Sequence, residues 1–456
     1  MDETRLIKPL LDKEYPTISH GDGIYLYDIN GKKYIDGSSG AITAGIGHGV
    51  KEIIEEINKQ AHKISFVYRS QFTSEPAEKL AKKLSELAKG GEYWSFFVNS
   101  GSEATETAMK IAIQHWQEKG IKGKNKILSR WMSYHGITIG ALSMSGHTGR
   151  RARFVPLLED YPTIQPPYCF RCPLHSTFPT CNHMCATELE HAINRIGSEH
   201  IAAFIAEPII GAAGGAIVPP PGYYQVIKKI CEKYDVLFIA DEVMTGMGRT
   251  GKMFALEHWD TQADIITLGK GMSAGYTPIA ATLVSEKVME PIQKGSKLVM
   301  SGHTFSANPQ STAVALAVID YIETHNLVEN SMKNGNYLFK KLQELQHLHP
   351  IIGDVRGKGL MCGIEFVSDM ITKFPFKKEI DLTSLVVTEG QKNGLLLYPA
   401  AAGIEGVGGD AVLVAPPLTI TIAQIDELLE ILDQTLTDVE AELRNKGIIP
   451  LEENFD

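Results

Sequence analysis

Short apolar runs that alternate with helix-length segments place the strongest constraint on the fold of this chain. The runs occupy residues 95–98, 127–129, 201–206, 236–240 and 265–268. Residues 103–117 and 223–234, which lie between them, have the length and apolar spacing of helices. Strands that are apolar on both faces must be covered on both sides, so the alternation predicts a mostly parallel sheet between layers of helices.

The two ends of the chain carry a different pattern. Residues 24–36 form two alternating apolar stretches around Asn30-Gly31, which is the strongest short signal for a β-hairpin. The C-terminal part has helical spacing at 309–324 and 331–348, a strand candidate at 360–367, and a last helix that opens with the capping-box spacing of Thr421 and Gln424. We therefore predict a smaller α+β domain built from both chain ends. The predicted parts are an N-terminal segment at 1–70, a large α/β domain at 71–305 and a small α+β domain at 306–456.

Composition excludes several classes of function. The chain has 456 residues and a net charge of -10, from 44 Lys plus Arg against 54 Asp plus Glu. An acidic chain is not expected to hold nucleic acid or an anionic membrane by its overall charge. The first residues, Met1 to Arg5, do not begin a signal peptide, and six cysteines are few. We therefore expect a cytoplasmic protein.

A turn before a predicted helix can bind an anion. Residues Asn99-Ser100-Gly101-Ser102 follow the first apolar run, and a helix is predicted from Glu103 onward. Free backbone N–H groups and the positive end of the helix dipole suit a phosphate at such a turn. The alternative is that Ser102 only caps the helix.

Two further chemical groups follow predicted strands. Asp241 and Glu242 end the run at 236–240, at the sheet edge where α/β proteins place ligands, and a helix-capping role is the alternative. Lys270 follows the run at 265–268 and lies between Gly269 and Gly271. A desolvated lysine has a lowered pKa and attacks carbonyl groups, whereas a solvated loop lysine does not.

Together, these three features match the needs of pyridoxal 5'-phosphate. The cofactor has a phosphate for the helix N-terminus, an aldehyde for a lysine and a ring nitrogen for a carboxylate. With these features the sequence resembles the class III aminotransferases, which are pyridoxal phosphate enzymes of fold type I. The resemblance covers nearly the whole chain, and its motifs lie at 31–37, 45–48, 240–251, 268–271 and 415–419.

The resemblance implies a role for each matching residue. It implies a large domain with a seven-stranded sheet, a Schiff base between Lys270 and the cofactor, and Asp241 as the partner of the ring nitrogen. It also implies a homodimer with shared active sites, with a tetramer left open, in which Thr304 reaches the cofactor of the neighbouring subunit. The other residues that it assigns to cofactor binding are Ser100, Gly101, Ser102, Tyr134, His135, Glu207 and Val243.

Three positions depart from the pattern of the family. Relatives that act on ornithine, acetylornithine or 4-aminobutyrate bind a carboxylate with an arginine and keep that arginine in place with a glutamate. The aligned residues here are Leu413 and Ala212, and Tyr398 stands where some amine transaminases carry an arginine. Residues 400–410 form an Ala/Gly-rich loop in this prediction. The arginines that remain as candidates for carboxylate binding are Arg69, Arg150, Arg151 and Arg356, the last with a structural role as its alternative.

Four of the six cysteines are clustered. They are Cys169, Cys172, Cys181 and Cys185. A structural metal, a disulfide and free thiols in an insertion loop are all compatible with this spacing, which is not that of a common zinc ribbon. Cofactor chemistry needs no metal, and we expect no catalytic metal.

The resemblance implies a transaminase. Lys270 would hold the cofactor and move the proton of the substrate. The donor is expected to be an ω-amino acid, a β-amino acid or a primary amine, and the acceptor a keto acid, with pyruvate favoured over 2-oxoglutarate. One alternative is an aminomutase or racemase with the same cofactor, and another is a non-catalytic binding scaffold.

Overall fold

The computed structural model describes residues 5–404 and 407–450. Within them the strands are β1 (Ile18–Asp22), β2 (Tyr25–Asp28), β3 (Lys33–Ile35), β4 (Tyr93–Val98), β5 (Lys126–Arg130), β6 (Thr163–Ile164), β7 (Ile201–Ala206), β8 (Leu237–Asp241), β9 (Ile265–Leu268), β10 (Ala280–Ser285), β11 (Ile352–Lys358), β12 (Met361–Phe366), β13 (Tyr398–Ile404) and β14 (Gly408–Val414). The helices are α1 (Ser39–Ile42), α2 (Lys51–Ala61), α3 (Glu75–Leu87), α4 (Gly101–Glu118), α5 (Ile139–Met144), α6 (Thr148–Arg151), α7 (Met184–Ile196), α8 (Tyr223–Lys233), α9 (Glu286–Lys294), α10 (Pro309–Thr324), α11 (Leu327–Leu348), α12 (Leu382–Asn393) and α13 (Ile422–Asn445).

The large sheet has seven strands among the described residues, in the order β4-β10-β9-β8-β7-β5-β6. Strands β5 to β9 pair in parallel wherever they are neighbours, and β10 is antiparallel to both β4 and β9. The predicted mostly parallel sheet is therefore confirmed. The five predicted apolar runs lie in β4, β5, β7, β8 and β9, whereas β6 and β10 are missing from the prediction. Residues 269–279 are too few for a crossover helix, and β10 accordingly returns antiparallel to β9.

Helix α4 covers one face of this sheet. Ala104, Ala108, Ile111 and Ala112, which recur at helical spacing within the predicted segment 103–117, are all buried. The helix packs against β4, β9 and β10 and against α9. This packing holds the N-terminus of α4 against the large sheet.

A second sheet is antiparallel and has the order β11-β12-β14-β13 in the described part of the chain. Helices α11, α12 and α13 pack around it, and α13 has the predicted capping box of Thr421 and Gln424. The expected loop at 400–410 is wrong for the described residues, because β13 and β14 pair there as a hairpin. The alanines of this segment are small enough to be buried while their backbone completes the ladder, as Ala400, Ala402 and Ala411 are. Residues 405 and 406 lie outside the described residues.

The N-terminal strands contact the C-terminal part of the chain. The hairpin of β2 and β3 forms around Asn30-Gly31 as predicted. Ile35 bridges Leu395, and Glu427 of α13 accepts a hydrogen bond from the Tyr25 hydroxyl at 2.7 Å. These contacts are the ones that a small domain built from both chain ends requires, and its boundaries stay a prediction. In the described residues, every helix is too short or too polar to cross a lipid bilayer.

Candidate functional site

A cavity of about 150 Å³ lies where several strands of the large sheet end. Strands β5, β7, β8 and β9 run in parallel, so the residues that follow them meet at one edge. The lining residues are Gly101, Ser102, Tyr134, His135, Gly136, Glu207, Asp241, Val243, Met244 and Lys270. All of them except Gly136 and Met244 belong to the set of residues expected from the sequence. Two expected residues, Ser100 and Thr304, do not line this cavity.

The N-terminus of α4 forms one wall. Ser100 is the N-cap, and its side chain accepts a hydrogen bond from Glu103 N at 3.3 Å. The interpretation of Ser102 as a plain cap is therefore wrong, since Ser102 lies inside the helix and its Oγ accepts a hydrogen bond from Ile137 N at 3.0 Å. A Cβ on Gly101 would lie 2.8 Å from a Val243 methyl group. Only glycine lets the first N–H groups of α4 approach the cavity this closely.

Asp241 is the last residue of β8 and is 4% exposed. Its Oδ2 lies 2.7 Å from His135 Nδ1, and its Oδ1 accepts hydrogen bonds from Thr267 Oγ1 at 3.0 Å and Val243 N at 3.2 Å. The contact with Val243 N is a local turn bond, and no helix begins in residues 242–254, so the helix-capping alternative is wrong. The other two contacts come from different elements and aim the carboxylate at the cavity.

Glu242, the neighbouring carboxylate, does not line the cavity. Its Oε1 accepts a hydrogen bond from Leu256 N at 2.9 Å, and its Oε2 accepts one from Thr245 Oγ1. Burial raises the pKa of Glu242 to about 7. Glu242 thus ties together the loop after β8, and of the two strand-end carboxylates only Asp241 is placed for chemistry in the cavity.

Glu207 and His135 hold the wall that carries Tyr134. Glu207 accepts hydrogen bonds from Tyr134 N at 2.9 Å and Gly211 N at 3.0 Å, and burial raises its pKa. His135 N donates to Ser145 Oγ at 2.8 Å. His135 Nε2 is buried without a hydrogen-bond partner among the described residues. Such a buried orphan atom in a cavity wall is a common mark of a ligand site.

Lys270 follows β9 in a 3-10 turn. Its backbone has a φ of +42°, in the left-handed region that costs a non-glycine residue about 1–2 kcal/mol. Burial lowers the pKa of its amine, the charge of Arg150 lowers that pKa further, and Asp241 and Glu207 oppose the shift. A lowered pKa increases the fraction of neutral amine, which is the form that attacks carbonyl groups.

Three of the four candidate arginines are engaged in structural contacts. Arg69 lies over the Phe96 ring and donates to a backbone carbonyl. Arg151 donates to three backbone carbonyls, and Arg356 pairs with two carboxylates, as its structural interpretation supposed. Arg150 differs, because its guanidinium lies 4.5 Å from the centre of the Tyr134 ring.

The three replaced positions lie close to one another. Tyr398 of β13 pairs with Leu413 of β14, and the carbonyl of Ala212 accepts a hydrogen bond from Ala401 N at 2.8 Å. Leu413 is fully buried and Ala212 nearly so. Burial also raises the pKa of the Tyr398 phenol, an effect that the charge of Arg150 opposes. The cation whose charge acts on Tyr398 thus comes from α6.

Thr304 and the cysteines lie away from the cavity. Thr304 is exposed in a turn before α10. Cys169, Cys172, Cys181 and Cys185 are free thiols that line one small cavity. Within residues 5–404 and 407–450, no group of three or more His, Cys, Asp or Glu side chains is arranged to hold a metal ion.

The residues of the cavity at the edge of the large sheet fit pyridoxal 5'-phosphate. The N–H groups at the start of α4 suit a phosphate, the buried Asp241 suits a protonated ring nitrogen, and the Lys270 amine suits an aldehyde. Gly136 completes the fit, since a Cβ there would lie 2.5 Å from Ser102 Oγ.

Comparison with known proteins gives a consistent result. The Aminotransferase class-III family matches residues 11–436. An uncharacterized aminotransferase of Bacillus subtilis (strain 168), YodT, is 55% identical over 96% of this chain and 99% of its own. A taurine–pyruvate aminotransferase of Bilophila wadsworthia is 37% identical, with 92% of each chain covered.

Solved structures agree with this result. An ω-transaminase of Pseudomonas jessenii, crystallised in complex with PMP, superposes with a TM-score of 0.88 at 35% identity, with 94% of each chain covered. The match extends over both sheets, so the shared architecture is the whole fold and not the large sheet alone. The chain therefore belongs to the class III aminotransferases, fold type I enzymes that use pyridoxal 5'-phosphate.

Proposed function

We propose that this aminotransferase moves an amino group from an ω-amino acid, a β-amino acid or a primary amine to a keto acid, with pyruvate favoured over 2-oxoglutarate. The observation that carries the proposal is the uncharged character of Leu413, Ala212 and Tyr398, two of which are buried. A second carboxylate buried beside them would have no cationic partner there, which is costly. The pyruvate enzyme among the relatives is compatible with this preference.

The cavity residues divide the work of the reaction. Pyridoxal phosphate supplies an aldehyde that exchanges amino groups and a ring that accepts an electron pair. Lys270 is the covalent anchor and, once free, carries the proton between two carbon atoms as a base and then as an acid, because its lowered pKa makes both forms accessible. Asp241 holds the ring nitrogen in its protonated form by charge.

The remaining residues position the reacting groups. Gly101 and Ser102 offer N–H groups and a hydroxyl to the phosphate at the start of α4, where Ser100 is the cap. Tyr134 and Val243 line the cavity and flank the ring in this proposal. His135 orients Asp241, and Glu207 orients the backbone of Tyr134, through the hydrogen bonds described above.

We also propose a cytoplasmic homodimer with shared active sites. Thr304 is exposed and lies outside the cavity of its own chain, which is compatible with contact to the cofactor phosphate of a second subunit. The aromatic residues Phe66, Tyr68 and Phe305 are also exposed, and a subunit interface would cover such side chains.

A panel of donors assayed with both acceptors tests the proposed specificity. The purified holoenzyme is given taurine, β-alanine, a diamine and an uncharged primary amine, each with pyruvate and with 2-oxoglutarate. We expect kcat/KM for pyruvate to exceed that for 2-oxoglutarate by more than about tenfold, which is ~1.4 kcal/mol. A clear preference for 2-oxoglutarate would mean that the replaced positions do not set the acceptor.

A further inference from the structure

One arginine beside the cavity wall, Arg150, differs from the arginines that hold the backbone in place. Arg130 and Arg249 are buried and donate to backbone carbonyls, and Arg69, Arg151 and Arg356 have the contacts described above. Arg150 is exposed, and no ion pair engages it among the described residues. Its described contacts are with the face of the Tyr134 ring, a residue of the cavity wall, and, through a hydrogen bond, with the Tyr398 phenol.

The charge of Arg150 acts on the reacting group. It lowers the pKa of the Lys270 amine, although burial is the larger cause, and it opposes the rise in the pKa of the Tyr398 phenol. Arg150 therefore lies near enough to both Lys270 and Tyr398 for its charge to act on each. A cation whose charge acts on both the reacting amine and Tyr398 is suited to bind the carboxylate next to a reacting carbonyl.

The surroundings favour binding of an anion at Arg150. The contact with Tyr134 uses the face of the planar guanidinium, and the hydrogen bond to Tyr398 uses one of its N–H groups, which leaves others for a ligand. Tyr398 adds a hydroxyl donor, and its cross-strand partner Leu413 is uncharged. His147, which lies edge-on to Tyr134, has a pKa lowered to about 4 by burial and by Arg150, so it is neutral and leaves Arg150 as the local cation.

We propose that Arg150 binds the α-carboxylate of the keto-acid acceptor, with Tyr398 as a second donor. This inference rests on the proposed function and names the residue that recognises the acceptor. It also gives a reason for the pyruvate preference, since one cation serves the single carboxylate of pyruvate and leaves the distal carboxylate of 2-oxoglutarate without a partner. A carboxylate bound to Arg150 would also cancel its effect on Lys270.

The test compares acceptors with and without a carboxylate. Single-turnover half-reactions of the holoenzyme in its amine form are measured with pyruvate and with acetaldehyde, which lacks the carboxylate of pyruvate. In Arg150→Leu we expect kcat/KM for pyruvate to fall about 10- to 100-fold, as for loss of a charge-assisted hydrogen-bonded pair, and that for acetaldehyde to change less than about threefold. Arg150→Lys keeps the charge without the planar fork and is expected to lie between these values.

Two controls separate the possible failures. Arg153→Ala removes an exposed arginine of the next turn and is expected to change neither half-reaction. Propionate, a carboxylate with no reacting group, is expected to inhibit the parent enzyme and to lose most of its inhibition in Arg150→Leu. Equal losses for pyruvate and acetaldehyde, or no loss for either, would overturn the role of Arg150. Absence of any amine-to-keto-acid transfer in the parent enzyme would overturn the proposed function instead.

Discussion

Replacement of Asp241 by Asn gives the sharpest test of the site, because the change removes a charge and almost nothing else. Asp241 is 4% exposed and accepts three hydrogen bonds. Two of them, from Thr267 and Val243, end on Oδ1, and the amide oxygen of Asn keeps both. Only the contact of Oδ2 with His135 Nδ1 changes, because an NH₂ group then faces the imidazole.

The structure sets the size of each effect. A neutral His135 can present Nδ1 as an acceptor to the new amide, so the variant trades one charge-assisted hydrogen bond for a neutral one. We expect the free energy of unfolding of the apoprotein to fall by about 1–2 kcal/mol. Loss of the charge opposite the ring nitrogen is expected to cost the reaction more than about tenfold in rate, that is more than ~1.4 kcal/mol, while the contacts at α4 keep most of the cofactor bound.

The assay measures the rate of the half-reaction with an amine donor at saturating cofactor, together with cofactor occupancy from the visible absorption spectrum. The matched control is Glu242→Gln, which changes the adjacent carboxylate outside the cavity and is expected to keep the rate within about threefold. A loss under tenfold in Asp241→Asn at full occupancy would show that another carboxylate holds the ring nitrogen. Equal losses in both variants would show that the effect is structural.

Three further predictions concern the anchor, the subunit contact and pH. Lys270→Ala is expected to abolish turnover while the thermal unfolding midpoint stays near that of the parent, and a near-normal rate with borohydride-fixed cofactor would contradict the assignment of Lys270. Mixing Lys270→Ala chains with Thr304→Ala chains is expected to restore some activity, since one site of each heterodimer carries neither change; confirmed subunit exchange without recovery would contradict action of Thr304 across the interface. The pKa of Glu242 in the folded chain is about 7, above its ordinary 4.5. Between these values the folded chain binds more protons than the unfolded chain, so the free energy of unfolding should fall as the pH rises from 4.5 to about 7. Urea denaturation at about pH 5 and about pH 8 should show a smaller fall in Glu242→Gln, and an unchanged fall would contradict burial as its cause.

The sequence predicts the layers of the fold better than the details of pairing. The bounds of β7 and α10 are predicted to the residue. A strand buried on both faces is a continuous apolar run, and a helix buried on one face has apolar residues at helical spacing, so both patterns can be read from the sequence. Strand β10 (Ala280–Ser285) gives a weaker sequence signal, because its side chains are mostly small and of mixed polarity. Its antiparallel pairing with β4 also depends on contacts that are distant in sequence. The hairpin of β13 and β14 was also missed, because its alanine- and glycine-rich composition is typical of a loop and not of a strand.

The sequence predicts the residues that would react with or bind the cofactor better than the residues that hold those residues in place. Thr267 donates to Asp241 but escapes the sequence argument. The register of β8 on β9 pairs these two residues, so strand alignment at the sheet edge is the signal that would have found Thr267. The need for glycine at Gly136 follows from the close approach of Ser102, which spacing along the chain does not reveal. The different roles of Asp241 and Glu242 depend on the loop after β8, which the spacing does not reveal either.

The charges around the cavity decide the orientation that we expect for the cofactor. Asp241 and Glu207 bring negative charge from β8 and β7, and the charges of both reach Lys270. A phosphate, with a charge of about -1.5 to -2, would be repelled from these carboxylates and is stabilised instead by the N–H groups at the start of α4. Asp241 would then hold the ring nitrogen, and Lys270 would be left for the aldehyde. The reverse orientation would bring the phosphate and Asp241 together and leave the start of α4 without an anion, so the charges of the cavity residues favour a single arrangement.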